Sequence, residues 1–148
     1  MSQYVGVVTS NRPPAEVFTY LADVSNFASW DPGVLESTSV AESPPALGSE
    51  YDVTVSGPRP TTLRYRIIEL DPPETVVLEA RSELLWSLDR ITVTATKSGS
   101  IVAYEAQLEL TGPMRFLNPL LGPVFQRIGN RAAKGLELAL RSGLPTIG

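Results

Sequence analysis

The sequence predicts an α+β fold in which a curved antiparallel sheet of seven strands wraps around one long C-terminal helix. Three observations support this prediction: the 148-residue length suits one domain, apolar residues alternate with a period of two between Val34 and Leu110, and a long helical pattern follows. A sheet with one apolar face must bury that face, and only the terminal helix is long enough to cover it. We therefore expect a hydrophobic pocket where the bent sheet and the straight helix separate.

The N-terminal region predicts one strand followed by two short helices. A valine-rich run within residues 3–10 is typical of a strand. Pro14 suits the first position of a helix, and Asp23 is expected to cap a second short helix. Residues 30–33, Trp-Asp-Pro-Gly, end this region as a turn, and Asp31 is expected to form that turn rather than to act as a catalytic acid.

Six further strands are predicted by alternating apolar and polar residues between turns rich in proline and glycine. One side of these strands is apolar and the other is charged, as expected for a sheet that is covered on one face only. The predicted spans are residues 34–40, 49–56, 62–70, 75–82, 85–96 and 101–110.

A single long helix is predicted from about Asn118 to Arg141. Its apolar residues recur at helical spacing, and Gly143 is suited to end it. Pro123 lies too far inside the pattern for a first-turn proline and would kink or restart the helix. Residues 114–122 are therefore expected to form a separate short helix or a loop.

The composition excludes several kinds of chemistry. The chain has no cysteine and no histidine, which removes thiol nucleophiles, the commonest metal ligands and the commonest general base. Any catalysis must use carboxylates, tyrosines, arginines or hydroxyls, and we expect no metal and no other cofactor. A net charge of −4 opposes binding to nucleic acid. The sequence also has no phosphate-binding glycine loop, no dinucleotide-binding fingerprint and no GxSxG motif.

The sequence contains no apolar run long enough to cross a membrane and no secretory leader, so we expect a cytoplasmic location. Residues 114–121 are apolar apart from one arginine and one asparagine. This segment is expected to be either a core or dimer contact, or a lip that touches a membrane transiently and admits a ligand. A monomer and a homodimer are both compatible with the sequence.

Several segments carry a resemblance to a known family: residues 14–23 (PAEVFTYLAD), Phe27, residues 30–34 (WDPGV), 89–93 (DRITV), 99–104 (GSIVAY) and the final helix. Together they resemble the START-like (SRPBCC) superfamily, and within it the polyketide cyclase/dehydrase and lipid-transport branch. The resemblance implies one START-like domain over residues 1–148 with the helix-grip fold of START domains and the birch pollen allergen. It implies a cavity for an apolar small molecule but no single reaction, because members include lipid carriers, hormone receptors and aromatase/cyclases.

Asp89 is the most informative polar residue because its orientation decides whether it can act chemically. If its strand is regular, Asp89 lies in phase with Ile91 and Val93 on the dry face, where burial would raise its pKa and suit it to acid or base chemistry. A bulge near residues 86–88 would instead turn it outward toward neighbouring arginines. Both orientations are compatible with the sequence.

Residues on the predicted dry face and around its mouth are the candidate ligand contacts. Tyr51, Tyr65 and Tyr104 lie on this face. A buried phenol can hydrogen-bond a carbonyl of a ligand while its ring packs against an apolar body, but these three tyrosines are also suited to filling the core. The candidate catalytic residues are Asp89, Tyr104 and Tyr65. The candidate ligand-binding residues are Trp30, Tyr51, Val53, Val55, Leu63, Tyr65, Ile67, Leu78, Trp86, Asp89, Ile91, Tyr104, Phe116, Leu121 and Phe125.

Three functions are open from the sequence. The first is binding, sequestration or transport of an apolar small molecule such as a lipid, a polyketide or an isoprenoid. The second is a metal-free cyclase or dehydrase, a lyase-like enzyme in which Asp89 and a tyrosine move the proton. The third is a protein-interaction module that uses an exposed sheet edge, for which no residue gives a specific indication.

Overall fold

The computed structural model describes residues 2–41, 43–57 and 59–141, and its elements follow the predicted order. Each of the six strands predicted between residues 34 and 110 matches an observed strand within two residues at each end. The elements are β1 (Ser2–Ser10), α1 (Pro14–Ala22), a 3₁₀ turn (Val24–Asn26), α2 (Phe27–Trp30), β2 (Val34–Ser39), β3 (Glu50–Val55), β4 (Thr61–Asp71), β5 (Thr75–Arg81), β6 (Leu85–Thr96), β7 (Gly99–Leu110), a second 3₁₀ turn (Gly112–Leu117) and α3 (Asn118–Arg141).

The seven strands form one antiparallel sheet in the order β1-β7-β6-β5-β4-β3-β2. Strands β2 to β7 pair in chain order, and β1 pairs with β7 to complete the other edge. Register shifts near Val34 in β2 and Ile67 in β4 mark bulges, which bend an antiparallel sheet. The predicted α+β architecture is confirmed: a curved sheet, a long C-terminal helix and two short helices between the first two strands.

Alternation along the strands separates a buried face from a solvent face. On β4, Leu63, Tyr65 and Ile67 are at most 7% exposed, whereas Arg64 and Arg66 between them are exposed. The buried face packs with residues of α1, α2 and α3 in one core, which supplies the hydrophobic stabilisation of the domain.

The long helix α3 continues through Pro123, so the predicted restart there is wrong. Residues 114–122, which the sequence predicts as a separate short helix or loop, belong to two elements. Residues 114–117 lie in the 3₁₀ turn Gly112–Leu117, and residues 118–122 belong to α3. Pro123 is exposed, so water can hydrogen-bond the Pro119 carbonyl that a proline leaves unpaired four residues earlier. Gly143, expected to end the helix, lies outside the described residues.

Two glycines allow α3 to approach the rest of the domain closely. A β-carbon on Gly129 would lie 2.3 Å from the Tyr4 ring, and one on Gly135 would lie 2.0 Å from the Trp30 carbonyl oxygen. Only glycine permits such distances, because any other residue carries that β-carbon. These contacts hold the middle of α3 against β1 and the end of α2.

Candidate functional site

An internal cavity of about 230 Å³ lies between the inner face of the sheet and α3. This is the kind of pocket that the sequence predicts between a bent sheet and a straight helix. Its wall combines four aromatic rings, aliphatic side chains, two carboxyls and two serines. The lining residues are Phe27, Asp31, Gly33, Val34, Val55, Ser56, Leu63, Tyr65, Leu85, Ser87, Asp89, Tyr104, Ala106, Leu108, Phe125 and Ile128.

Asp89 faces this cavity. Strand β6 pairs with β5 and β7 without a register shift, so Asp89 keeps the phase of Ser87 and Ile91 on the buried face. The residue is only 4% exposed. The alternative, an outward turn through a bulge at residues 86–88, is therefore wrong, because the bulges of this sheet lie in β2 and β4.

Asp31 is a second carboxyl on the same wall. Its Oδ1 accepts a 2.8 Å hydrogen bond from the Gly33 backbone N–H, as expected of a turn former. The residue is nevertheless only 6% exposed and lines the cavity. An Asp-Pro-Gly segment normally indicates a surface turn, and for this reason the sequence does not reveal the second role.

Burial raises the pKa of both carboxyls. Loss of hydration is the main cause for each, and it brings the pKa of Asp31 to about 6 and that of Asp89 to about 7. The charge of Asp31 raises the pKa of Asp89 further, whereas a hydrogen bond from Tyr104 lowers it. Neither carboxyl forms an ion pair with a described residue. Both carboxyls therefore exchange protons near neutral pH.

Tyr104 and Tyr65 place two phenol groups beside the carboxyls. The interaction of Tyr104 with Asp89 lowers the pKa of that carboxyl, and the Tyr65 hydroxyl lies 2.9 Å from Ser87 Oγ. Burial, followed by the charge of Asp89, raises the pKa of both phenols. Both phenols therefore remain protonated at neutral pH and serve as hydrogen-bond donors rather than as bases.

Trp30 seals the end of the site nearest α2. Its indole stacks on Phe27 with 4.8 Å between ring centroids and meets Tyr104 edge-on at 5.8 Å. A void of only about 10 Å³ remains beside these rings and Asp89. A space of that size is at the lower limit for a single water molecule, so this end of the site is closed.

The remaining predicted contacts occupy three environments. The cavity wall includes Val55, Leu63 and Phe125. The small void beside Trp30 is bordered by Leu78 and Ile91. The core away from the wall contains Tyr51, Val53 and Ile67, and Leu121 is half-buried against it.

Trp86 lies on the opposite face of the sheet, so the expectation that it lines or covers the pocket is wrong. It is out of phase with Asp89 on β6, and its Nε1 donates a 2.9 Å hydrogen bond to Glu79 Oε2. The Arg81 guanidinium lies 5.9 Å from the centre of the indole ring. The unbroken alternation that turns Asp89 inward therefore turns Trp86 outward.

Phe116 is also misplaced by the prediction, because it is 73% exposed and does not contact the cavity. It belongs to the second 3₁₀ turn, none of whose residues is buried. The apolar segment 114–121 is therefore mostly a surface feature, although Leu121 at its end is half-buried against the core. Among the residues that the structure describes, no helix combines the length and the apolar composition needed to cross a bilayer.

Several cavity residues were not predicted as contacts: Phe27, Ser87, Ala106, Leu108 and Ile128. Ser87, Ala106 and Leu108 lie on strands, in phase with Asp89 or Tyr104, so a stricter use of strand alternation would have found them. The other two come from α2 and α3. Their amphipathic pattern predicts burial but does not distinguish a residue on a cavity wall from one in the core.

A second hollow, an open cleft of about 820 Å³, lies between α2 and the outer side of α3. Arg127, Arg131 and Lys134 line the α3 side of this cleft. Trp30 and Asp31 line the other side, and Asp31 also borders the internal cavity. Asp31 thus forms part of the partition between the cleft and the cavity.

Solved structures share this architecture over nearly its whole length. A START superfamily protein from Mycobacterium smegmatis superposes with a TM-score of 0.74 at 10% identity, covering 95% of this chain and 98% of that one. Ara h 8.0201 gives 0.65 at 18% identity, with 95% and 98% covered. The di-domain ARO/CYC StfQ from the steffimycin biosynthetic pathway gives 0.62 at 16% identity, with 93% and 48% covered. No curated protein matches the sequence.

A sheet that grips a terminal helix in this way defines the helix-grip, START-like fold. The family model described as polyketide cyclase / dehydrase and lipid transport matches residues 1–144. The chain belongs to this family. Both conclusions agree with the resemblance found in the sequence, and neither specifies the ligand.

Proposed function

We propose that this protein binds, sequesters or carries a compact apolar small molecule, of polyketide, isoprenoid or short lipid type, in its internal cavity. The observation that carries this proposal is the partly enclosed cavity of about 230 Å³ with a mostly apolar wall. Ligand pockets typically measure about 300–1,000 Å³, so the occupant is a ring system or a short chain rather than a long lipid. Asp89, Tyr104 and the Tyr65–Ser87 pair supply the few polar groups that orient such a ligand.

A cavity-filling variant tests whether the ligand occupies this space. Ala106 is 5% exposed and lines the cavity, so Ala106→Leu should fill it and abolish binding. Ala103 lies on the same strand but faces away, so Ala103→Leu is the matched control. Native mass spectrometry of the purified proteins and fluorescence titration with the compact neutral probe 2-naphthol should detect a bound compound in the wild type and the control only.

Loss of binding in both variants would indicate a general folding defect, which circular dichroism would detect. Retention of binding by folded Ala106→Leu would place the ligand elsewhere. If the wild type neither carries nor binds any compound across several apolar classes, the proposed function is wrong.

A second candidate function is that of a cyclase or dehydrase, and the buried carboxyl pair favours it. A carboxyl with a pKa of about 7, as at Asp89, exchanges protons efficiently at neutral pH. Asp89 would remove a proton from a carbon between two carbonyl groups, and the resulting enolate would attack a second carbonyl of the same chain. The proton held by Asp89 would then pass to the new alkoxide, so the ring closure is balanced without a metal. The likeness to StfQ supports only the fold of such an enzyme.

The variant Asp89→Asn tests this second function. It should remove turnover of a poly-β-ketone substrate and leave binding of neutral ligands intact, because asparagine has a similar shape but cannot accept the proton. Turnover that is unchanged in this variant would exclude Asp89 as the base. Wild-type protein that binds the substrate without converting it would favour the binding function.

A further inference from the structure

The two carboxyls on the cavity wall have no counter-charge inside it. Asp31 follows α2 and Asp89 belongs to β6, yet both line the same cavity and are at most 6% exposed. Of the described residues that line this volume, none is a lysine or an arginine. When both carboxyls are ionised, the cavity therefore holds two negative charges that the protein itself does not balance.

Charged groups on the surrounding elements do not balance these two negative charges. On α3, Arg127, Arg131 and Lys134 line the open cleft on the other side of Asp31, and none of them lines the cavity. None of them is among the interactions that set the pKa of Asp31, which are its burial and the Gly33 N–H. The parts of β2 and β3 on the wall have no titratable side chain, and those of β4 and β7 contribute only phenols.

The rest of the wall suits an organic cation. The rings of Phe27, Tyr65, Tyr104 and Phe125 border the same volume. The face of an aromatic ring attracts a cation, most strongly where water is excluded. The Tyr104 and Tyr65 hydroxyls already interact with Asp89 and Ser87, so the carboxylate oxygens are the strongest acceptors facing the cavity.

We propose that the ligand of this cavity is a compact apolar molecule with one basic amine, bound as its ammonium ion by Asp31 and Asp89. This inference rests on the proposed binding function and narrows its ligand class. The ammonium group supplies the missing positive charge and has donors for both carboxylates, while the apolar body lies against the aromatic rings. A carboxylate ligand of the same shape would be repelled.

Three probes of similar shape test the proposal: 3-phenylpropylamine, 3-phenylpropan-1-ol and 3-phenylpropanoate, each titrated by calorimetry at pH 8 and pH 5. At pH 8 the amine should bind at least about tenfold more tightly than the alcohol, and the carboxylate should not bind measurably. At pH 5 the carboxyls hold protons that the amine must displace, so its affinity should fall by about tenfold or more. The affinity of the alcohol should change little.

Proton release and matched variants separate a charge effect from a change of shape. Titration in two buffers of different ionisation enthalpy should show that the amine releases about one proton near pH 6.5. Asp31→Asn and Asp89→Asn should each reduce the ratio of amine affinity to alcohol affinity, and the double variant should bring that ratio to about one. Glu16→Gln, on the exposed side of α1, should have no effect.

Two outcomes distinguish this inference from the proposed function. If the alcohol binds at pH 8 as tightly as the amine, or the double variant keeps the preference for the amine, the inference is overturned and the binding function stands. If none of the three probes binds at either pH, both the inference and the proposed binding of compact molecules are overturned.

Discussion

Asp31 and Asp89 show how a residue that is ordinary in sequence acquires unusual chemistry through its position. An aspartate in water has a pKa near 3.9, and burial without a cation raises it because the charged form loses its hydration. Here the raised pKa values of about 6 and about 7 belong to two carboxyls that also repel each other. The pair is unfavourable for the stability of the ionised protein, as expected for groups retained for a function.

The pH dependence of stability should report this pair. A carboxyl with a raised pKa binds its proton more tightly in the folded protein than in the unfolded chain. The associated stability is fully present below about pH 4 and is lost as the pH rises through about 6 and 7. We expect Asp89→Asn, which cannot ionise, to be more stable than the wild type at pH 8 by on the order of 4 kcal/mol.

Urea denaturation at pH 4.5, 6 and 8 measures this difference. The advantage of the variant should grow steadily as the pH increases. Asp52→Asn is a suitable control because Asp52 lies on the solvent face in an ion pair with Arg64, which lowers the pKa of Asp52. A constant difference between Asp89→Asn and the wild type at all three pH values would contradict an ionisable carboxyl in the cavity.

At the scale of single elements, helix α3 packs closely against the backbone of α2 at Gly135. At Gly135 a β-carbon would meet the backbone of α2, which cannot move aside as a side chain can. We expect Gly135→Ala to lower the free energy of unfolding by about 2 kcal/mol or more. The matched control is Gly122→Ala on the same helix, where a β-carbon meets no residue other than its chain neighbours, and the gain in helix propensity is opposed by the following Pro123, so stability should change by less than about 1 kcal/mol. Equal effects on the thermal midpoint would show that α3 does not approach α2 closely.

Strand β6 and helix α2 carry the two tryptophans to opposite sides of the sheet. Trp30 is 5% exposed beside the cavity, whereas Trp86 lies on the solvent face. In Trp86→Phe the remaining indole fluorescence comes from Trp30, and its intensity or emission maximum should change when a cavity ligand is added. In Trp30→Phe the remaining signal from Trp86 should stay constant. A response from Trp86 alone would place the binding site on the outer face.

For the whole molecule, the volume of the cavity between the sheet and α3 limits the size of the ligand. A space of about 230 Å³ accommodates a fused aromatic pair but not a sixteen-carbon chain, unless α3 moves away from the sheet. We expect 2-naphthol to raise the thermal midpoint in a concentration-dependent way, and palmitate to raise it much less, because a ligand stabilises only the state that binds it. Stronger stabilisation by palmitate would show that the cavity opens to a larger volume.

Much of the fold follows from local patterns in the sequence. Period-two alternation places Tyr65 and Asp89 on the inner face, and the start of α1 at Pro14 follows from proline's preference for a first helical turn. The long helix follows from its 3.6-residue period. Such features depend on neighbouring residues only, and they also carry the family resemblance.

The composition of the candidate site was decided by tertiary contacts. Asp31 has the sequence of a surface turn and is buried because α3 crosses the end of α2 at Gly135. Pro123 remains within a helix, and Phe116 lies on the surface, against expectations based on local sequence. Burial, cavity volume and the proximity of two carboxyls depend on residues far apart in the chain, and no local pattern encodes the distance between them.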